Sequence, residues 1–387
     1  MPHKSPENPG NVAQEKFWKR ALWGLPLFGL MCAGAGTVGA TMLHIRPHME
    51  ALLEHGVWTA SSGETFNVHE PIYNGRFLDE IFRPVILCFM PSITGAHAQS
   101  WTQMFSFIPE FGAVYAIWLL EGYRKDHSWR GLLFPIIIGQ AAQLLSVAVF
   151  GPLYYLLQYI FNPLHKTVQS NNREIKPTST YTLLAALAAA HYIPSYASFL
   201  APDLKDRQLW NAAWQIFPLT VPLLQLPLSL FFQTTLPTNP NPNQDPAVGS
   251  ITSRTQDKQN SLAAVRVVYS SLALISAVGF VYARTTVPAE SSMLEIFWPG
   301  LDGYVLSGDV SFEEGLARFL QYDQISSMAA GFVWLWLRMR ELKMFGAGVS
   351  WFRAVVGLVG VTWVFGPGTA FVLGWGWKEE VLHKLGS

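Results

Sequence analysis

The segment FIPEFGAVYAIWLLEGYRK (Phe107–Lys125) places two carboxylic acids in an apolar run. At about 100° per residue, a helix here carries Glu110 and Glu121 on one face, together with Gln103 and Ser106. The carboxyls then lie roughly 16 Å apart along the axis, too far to act on one atom. An acid without a cation in apolar surroundings is held neutral by the cost of burying its charge, so it keeps a proton to give. The structural alternatives are an ion pair from Glu121 to Arg124 or Lys125 one turn on, and a hydrogen bond from Glu110 to a neighbouring helix.

Further ionisable groups stand in apolar context, where each is a functional candidate. Asp323 lies in FLQYDQISSM (Phe319–Met328), His191 in LAAAHYIPSYASFLAP (Leu187–Pro202), and Asp79, Glu80 and Arg83 in RFLDEIFRPVILCFMPS (Arg76–Ser92). Glu110 or Asp323 is the expected general acid. Glu121, Glu80 or His191 would accept a final proton or hold a polar group, and Arg83 would bias a carboxyl, unless it simply pairs with Glu80 at i,i+3. Among the 15 Trp, 25 Phe and 13 Tyr, those beside the acids are the informative ones: Tyr115, Trp118, Trp210, Trp214, Tyr322, Trp334 and Trp336. Tyr115, Trp118, Trp214 and Tyr322, with His191 and Asn211, are the expected substrate-binding side chains. An apolar cavity of aromatic faces holding one neutral acid suits protonation of an alkene or epoxide, the rings steadying the carbocation. Plain packing of aromatic helices is the alternative.

The elements that carry these groups follow from composition. Only 13% of the 387 residues are charged, and 50% are hydrophobic. Ala21–Leu43, Gly131–Leu164, Gln208–Gln244, Val267–Ala283 and Ala354–Trp377 contain no Asp, Glu, Lys or Arg. About 20 apolar residues suffice to cross a bilayer as a helix, and the runs lack the alternation of barrel strands. The expectation is one all-α, polytopic membrane domain over the whole chain. About nine spans are read, near 18–43, 79–98, 102–122, 131–160, 180–201, 209–234, 262–284, 316–338 and 352–376. The second, polar and holding Pro91, reads equally as a broken or re-entrant helix. Residues 236–260 read as a flexible Pro/Asn-rich loop. Residues 288–315 carry six acids and no base and read as a non-cytosolic loop. Lys16, Lys19, Arg20, Arg338, Arg340 and Lys343 mark the cytosolic side, while Arg124, Lys125 and Arg130 conflict with a nine-span count. Cys32 and Cys88 read as buried thiols. Polar residues precede the first apolar run, which therefore reads as a retained helix. With as many acidic as basic residues, nucleic acid is not an expected partner.

No DDxxD, DxDD, GxSxG, HExxH or P-loop occurs, and NPNQD (Asn241–Asp245) sits in the Pro-rich loop. Metal-free acid chemistry without a cofactor is the enzymatic reading. The alternatives are a proton-coupled transporter, in which the same acids relay protons, and a non-catalytic scaffold or receptor. A cavity open to one leaflet favours the first; a path through the core favours transport.

The segments RPVILCFMPSITGAHAQSWTQMFSFIPEFGAVYAIWLLEGYRK (Arg83–Lys125) and GPLYYLLQYI (Gly151–Ile160), with QYD (Gln321–Asp323), resemble the fungal membrane-bound terpene cyclases of ascochlorin, ascofuranone and macrophorin biosynthesis. The resemblance runs along most of the chain. It implies an endoplasmic-reticulum enzyme that cyclises a farnesyl chain on an aromatic or quinone-like head, starting from an epoxide or alkene.

Overall fold

The computed structural model describes residues 15–73, 75–124, 129–169, 174–175, 177–235, 246–300 and 310–385. Apart from a small antiparallel hairpin, β1 (Val57–Thr59) and β2 (Thr65–Asn67), the regular structure is helical. The helices are α1 (Phe17–Trp23), α2 (Leu25–His55), α3 (Arg76–Cys88), α4 (Met90–Thr94), α5 (Ala98–Gly122), α6 (Trp129–Leu145), α7 (Val147–Phe161) and α8 (Leu164–Gln169). A π turn, Ala188–Tyr192, joins α9 (Pro177–Leu187) to α10 (Ile193–Leu200). There follow α11 (Leu204–Gln215), α12 (Phe217–Thr235), α13 (Pro246–Thr285), α14 (Met293–Phe297), α15 (Phe312–Met344), α16 (Trp351–Phe365) and α17 (Pro367–Lys384).

Four stretches are long and apolar enough to cross a membrane among the described residues: Leu25–His55, Ala98–Gly122, Pro177–Leu200 and Gln259–Thr285. A fifth crossing results if α11 and α12, bent by 69°, count as one. This is fewer than the nine expected, because several apolar runs are broken by their own residues. The run read as a span at 79–98 stops at Phe89, where α3 ends; Pro91 begins the short α4, and Gly95 ends it in the left-handed conformation (φ 79°). The run read as one span at 131–160 breaks at Ser146, whose hydroxyl accepts from the Ala148 N–H and starts a new helix. Phe134 stacks on Tyr154 at 5.1 Å, so α6 and α7 fold back as a hairpin about that serine. The last run, 352–376, breaks at Gly366 (φ 89°, ψ 161°), a conformation essentially confined to glycine. Pro367 then opens α17, which packs back on α16.

α15 is the post on which the rest is hung. Its Gly315 meets Ile45 near the end of α2, while Trp336 lies 5.8 Å from Trp23, so α2 and α15 run antiparallel. α5, α7 and α17 run parallel to α15: each begins beside its first half, α7 ends at Arg338, and α5 and α17 end at the Glu121–Lys378 pair beside Trp334. Both hairpins therefore enter from the end that holds Arg20. The tip of α6–α7 reaches Asp323, about 16 Å short of where α15 starts. α5 likewise ends at the Arg20 end, since it runs parallel to α15 and α17. Arg124 thus shares a side with Arg20, which removes the conflict with charge asymmetry; Lys125 lies outside the described residues.

Three smaller expectations change. Residues 246–260 form the first turns of α13 rather than a loop, with Pro246 at the first helical position; 236–245, including NPNQD, lie outside the described residues. The acidic 288–315 segment holds α14, which a Ser292–Glu295 capping box starts; 301–309 are outside the described residues. Cys32 is exposed, because the outer face of α2 turns its apolar residues outward, and Cys88 is half-buried.

Candidate active site

Glu110 is wholly buried on α5. Its Oε2 accepts from Gln324 Nε2 at 2.8 Å, and its Oε1 from the Gly368 N–H at 3.3 Å. Gln324 is fixed in turn, its Oε1 accepting from Gln103 Nε2 at 3.0 Å. Among the described residues the buried ion pairs engage Glu121, Glu341 and Glu379, not Glu110. This acid is therefore held by an amide and one backbone N–H alone. The contact needs glycine at 368: a Cβ there would stand 2.5 Å from Glu110 Cγ. Gly368→Ala is expected to cost ~1–3 kcal/mol as overpacking. An unfolding midpoint in detergent equal to wild type would contradict the close approach.

Asp323 occupies the matching place on the other hairpin. Its Oδ1 accepts from Ser146 Oγ at 2.6 Å and from the Ala148 N–H at 2.9 Å. Each acid thus sits at the N-terminus of a returning half-helix, Glu110 at α17 and Asp323 at α7, where unpaired N–H groups and the helix dipole favour an acceptor. Asp323 and Gln324 are neighbours on α15, so one helix serves both tips. The polar stripe of α5 holds as read, but its partner stripe on α15, which includes Gln324, was missed. So was Gly368, although Gly366-Pro367-Gly368 is a recognisable break.

Glu121 has a different setting. Arg124 donates to both its oxygens at 2.9 Å, Trp375 Nε1 donates at 2.8 Å, and Lys378 donates as well. Glu379 pairs with Arg124 at 2.5 Å and with Lys378 at 2.8 Å. Beyond the Trp334 ring, Arg338 and Arg20 both pair with Glu341, and both donate to carbonyls at the C-terminus of α7. Two acids and two bases balance around Glu121, so the ion-pair alternative with Arg124 describes it, extended to α17. Glu121 stands at the Arg20 end, not beside Asp323.

Other candidates lie apart from Glu110. Glu80 is exposed and pairs with Arg76 at 2.9 Å, while Arg83 pairs with Glu70; the expected Glu80–Arg83 bridge is absent because each finds a partner outside that spacing. Tyr322 is half-buried and Trp210 exposed. Asn211 accepts from Gln215 Nε2 at 2.9 Å. His191 Nδ1 accepts from Trp214 Nε1 at 3.0 Å and its Nε2 donates to the Ile108 carbonyl at 3.0 Å, which fixes the tautomer and engages both nitrogens. Trp118 stacks on Tyr154 at 4.1 Å, and Tyr115 donates to the Pro218 carbonyl. These rings are close-packed core and line no cavity described.

The cavity lies elsewhere. About 610 Å³ opens between α13, α15, α16 and α17, lined by Trp336, Trp351, Trp363, Trp377, Phe280 and Phe332 among other apolar residues. It opens sideways, since Val355, Val359 and Trp363 on its α16 wall are exposed. One lining residue meets the α16–α17 tip: Phe280 packs against Gly366, two residues before the glycine that meets Glu110. Of the aromatics singled out in the sequence, Trp336 alone lines it.

The CtvD domain model matches residues 64–382, which spans every element of the site. The chain belongs to the CtvD domain family. Its kinship with fungal terpene cyclases is also visible in Terpene cyclase ctvD of Aspergillus terreus, 23% identical over 169 residues, 42% of this chain and 48% of that protein. Longer alignments reach FAD-dependent monooxygenase anuJ of Penicillium roqueforti, 27% identical over 97% of this chain and 42% of that protein. FAD-dependent monooxygenase verC1 of Penicillium polonicum is 26% identical over 98% of this chain and 45% of that protein. The chain thus spans less than half the length of these relatives, and no solved structure matches it. A G-x-G-x-x-G run does occur in this CtvD-family chain, at Gly34, Gly36 and Gly39. It lies inside α2 with no strand before it; Gly34 packs on the Ala148 carbonyl while Gly36 and Gly39 are exposed, so it is not a dinucleotide turn. Among the described residues no three His, Cys, Asp or Glu side chains gather as metal ligands.

Proposed function

We propose that this chain is a polytopic membrane cyclase that folds up a farnesyl chain attached to an aromatic or quinone-like head, with Glu110 as the general acid. The observation that carries this is a wholly buried carboxyl held only by neutral donors, whose partner Gly368 lies two residues from Gly366, against which Phe280 of a tryptophan-lined cavity packs. A charge at that depth without a cation is costly, which keeps the acid protonated. The farnesyl chain enters from the bilayer along the α16 wall. The O–H bond of Glu110 breaks as its proton passes to the terminal alkene carbon or epoxide oxygen. The π electrons of the next double bond then close the ring. Aromatic faces steady the cation, and loss of a ring proton to water, through which it reaches the medium, ends the sequence. The product is an isomer of the substrate.

Asp323 serves this reading as the anchor of α7, and Glu121 as the lock between α5 and α17. The Arg20 end faces the cytosol of an endoplasmic-reticulum membrane, in keeping with its basic residues. The larger relatives named monooxygenases suggest that an oxidation supplies the epoxide, in a part of those proteins that this chain does not match.

An apolar carbodiimide, which reacts with protonated carboxyls, tests the reading. Glu110 is expected to be labelled at neutral pH in native membranes, with protection by a farnesylated aromatic compound. Labelling without protection, or no labelling, contradicts it.

A further inference from the structure

Two polar stripes face each other between α5 and α15. On α5 they are Gln99, Gln103, Ser106 and Glu110, spaced by four, three and four residues and so on one helix face. On α15 they are Glu314, Arg318, Gln321 and Gln324. At the end away from Arg20 the stripes open into a polar cavity of about 440 Å³, lined by His97, Gln99, Glu295, Glu314, Arg318 and Gln321 among others. Gln321 is 5% exposed. Its Nε2 donates to the Glu295 and Ile296 carbonyls at 2.8 and 2.9 Å, yet its Oε1 has no partner.

The same holds further in. Gln103 Nε2 is committed to the Leu320 carbonyl and to Gln324 Oε1, both at 3.0 Å, which orients the amide and leaves its Oε1 unpartnered. Ser106 Oγ, one turn before Glu110, is wholly buried and unpartnered too. An unsatisfied buried polar group costs ~1–3 kcal/mol, and these three lie in a row that leads from the wall of a polar cavity to one carboxyl. Such a row is the lining that a file of water needs.

We propose that Gln321, Gln103 and Ser106 line a water path that carries protons from this cavity to Glu110. The proposal rests on the reading that Glu110 gives up its proton in each turnover. The carboxylate left behind must regain one. The proton released at the end of cyclisation leaves a different atom from the one that took the acid's proton, so it need not return to Glu110. Water in the file delivers a proton to Glu110 Oε and is itself recharged from the cavity, so the proton lost by the product cation to the medium balances the one drawn in. Acid supply and substrate entry then come from different directions: protons from the cavity end, the isoprenoid chain from the α16 side.

Cysteine accessibility tests this without turnover. In a Cys32→Ser, Cys88→Ser background, Gln321→Cys, Gln103→Cys and Ser106→Cys are exposed to a small water-soluble methanethiosulfonate. All are expected to react, more slowly with depth, while Met104→Cys, buried off the stripe, stays unmodified. If Gln321→Cys reacts and the deeper two do not, the cavity is a blind pocket and the proposal fails. Ser106→Cys changes a single atom, so it decides the matter even if a glutamine variant folds poorly. The outcome is separate from the cyclase reading: labelled cysteines with full activity in Glu110→Gln would leave the path standing and remove its proposed purpose.

Discussion

Glu110→Gln is expected to lower turnover by the ~10²–10⁴-fold that positioned proton transfer supplies, while the protein still accumulates in membranes. The amide keeps the carbonyl that accepts from Gln324 at 2.8 Å and forfeits only the longer bond from Gly368 at 3.3 Å. Loss of rate therefore reports loss of the proton and not loss of the fold. Asp323→Asn is the matched control. Both hydrogen bonds to Asp323 land on Oδ1, from Ser146 Oγ and the Ala148 N–H, and an asparagine oxygen can accept both. Its turnover should stay within a few-fold of wild type. Rates of product formation per folded molecule in microsomes separate the two. A reversed pattern would assign the acid to Asp323.

The largest loss of stability is expected at Glu121. Its carboxylate joins Arg124, Lys378 and Trp375 in a buried setting that is neutral only as a whole. Glu121→Gln leaves the bases in excess. Breaking one partner from a buried ion pair typically costs ~3–5 kcal/mol. Removing a base as well, in Glu121→Gln with Lys378→Met, restores balance and should recover much of that loss. Thermal unfolding in detergent measures both variants. A single variant as stable as wild type, or a double variant no better than the single, contradicts the lock. The surviving fraction of Glu121→Gln should turn over normally, since Glu121 touches no part of the cavity.

Much of the site could be read in advance where helical geometry fixes side-chain direction. The inward stripe of Gln103, Ser106 and Glu110 is a matter of spacing along one element, and α5 carries it as read. What spacing cannot give is which other element faces a stripe. Gln324 and Gly368 lie more than two hundred residues from Glu110 and meet it only because α15 and α17 run parallel to α5. The hairpins were missed for a related reason: hydropathy sums over Ser146 and Gly366, although a hydroxyl cap at one and a glycine-only conformation at the other end a helix as firmly as charge does. Aromatic residues misled most. Tyr115 and Trp118 stand beside the acids in sequence, and Trp214 near the span that carries His191, yet all three pack into the core, while Trp351, Trp363 and Trp377 line the cavity from α16 and α17, which carry none of the acids singled out in the sequence.

The chain, on the function proposed above, rearranges an isoprenoid substrate by supplying a proton, without oxidising it. Microsomes containing the chain alone should be given a farnesylated aromatic compound in alkene and terminal-epoxide forms, without added flavin or reduced nicotinamide, and the products weighed by mass spectrometry. A new product is expected from one of them, equal in mass to its substrate and missing when Glu110→Gln replaces the native chain. Recovery of both substrates unchanged, or a product one oxygen heavier, would contradict it.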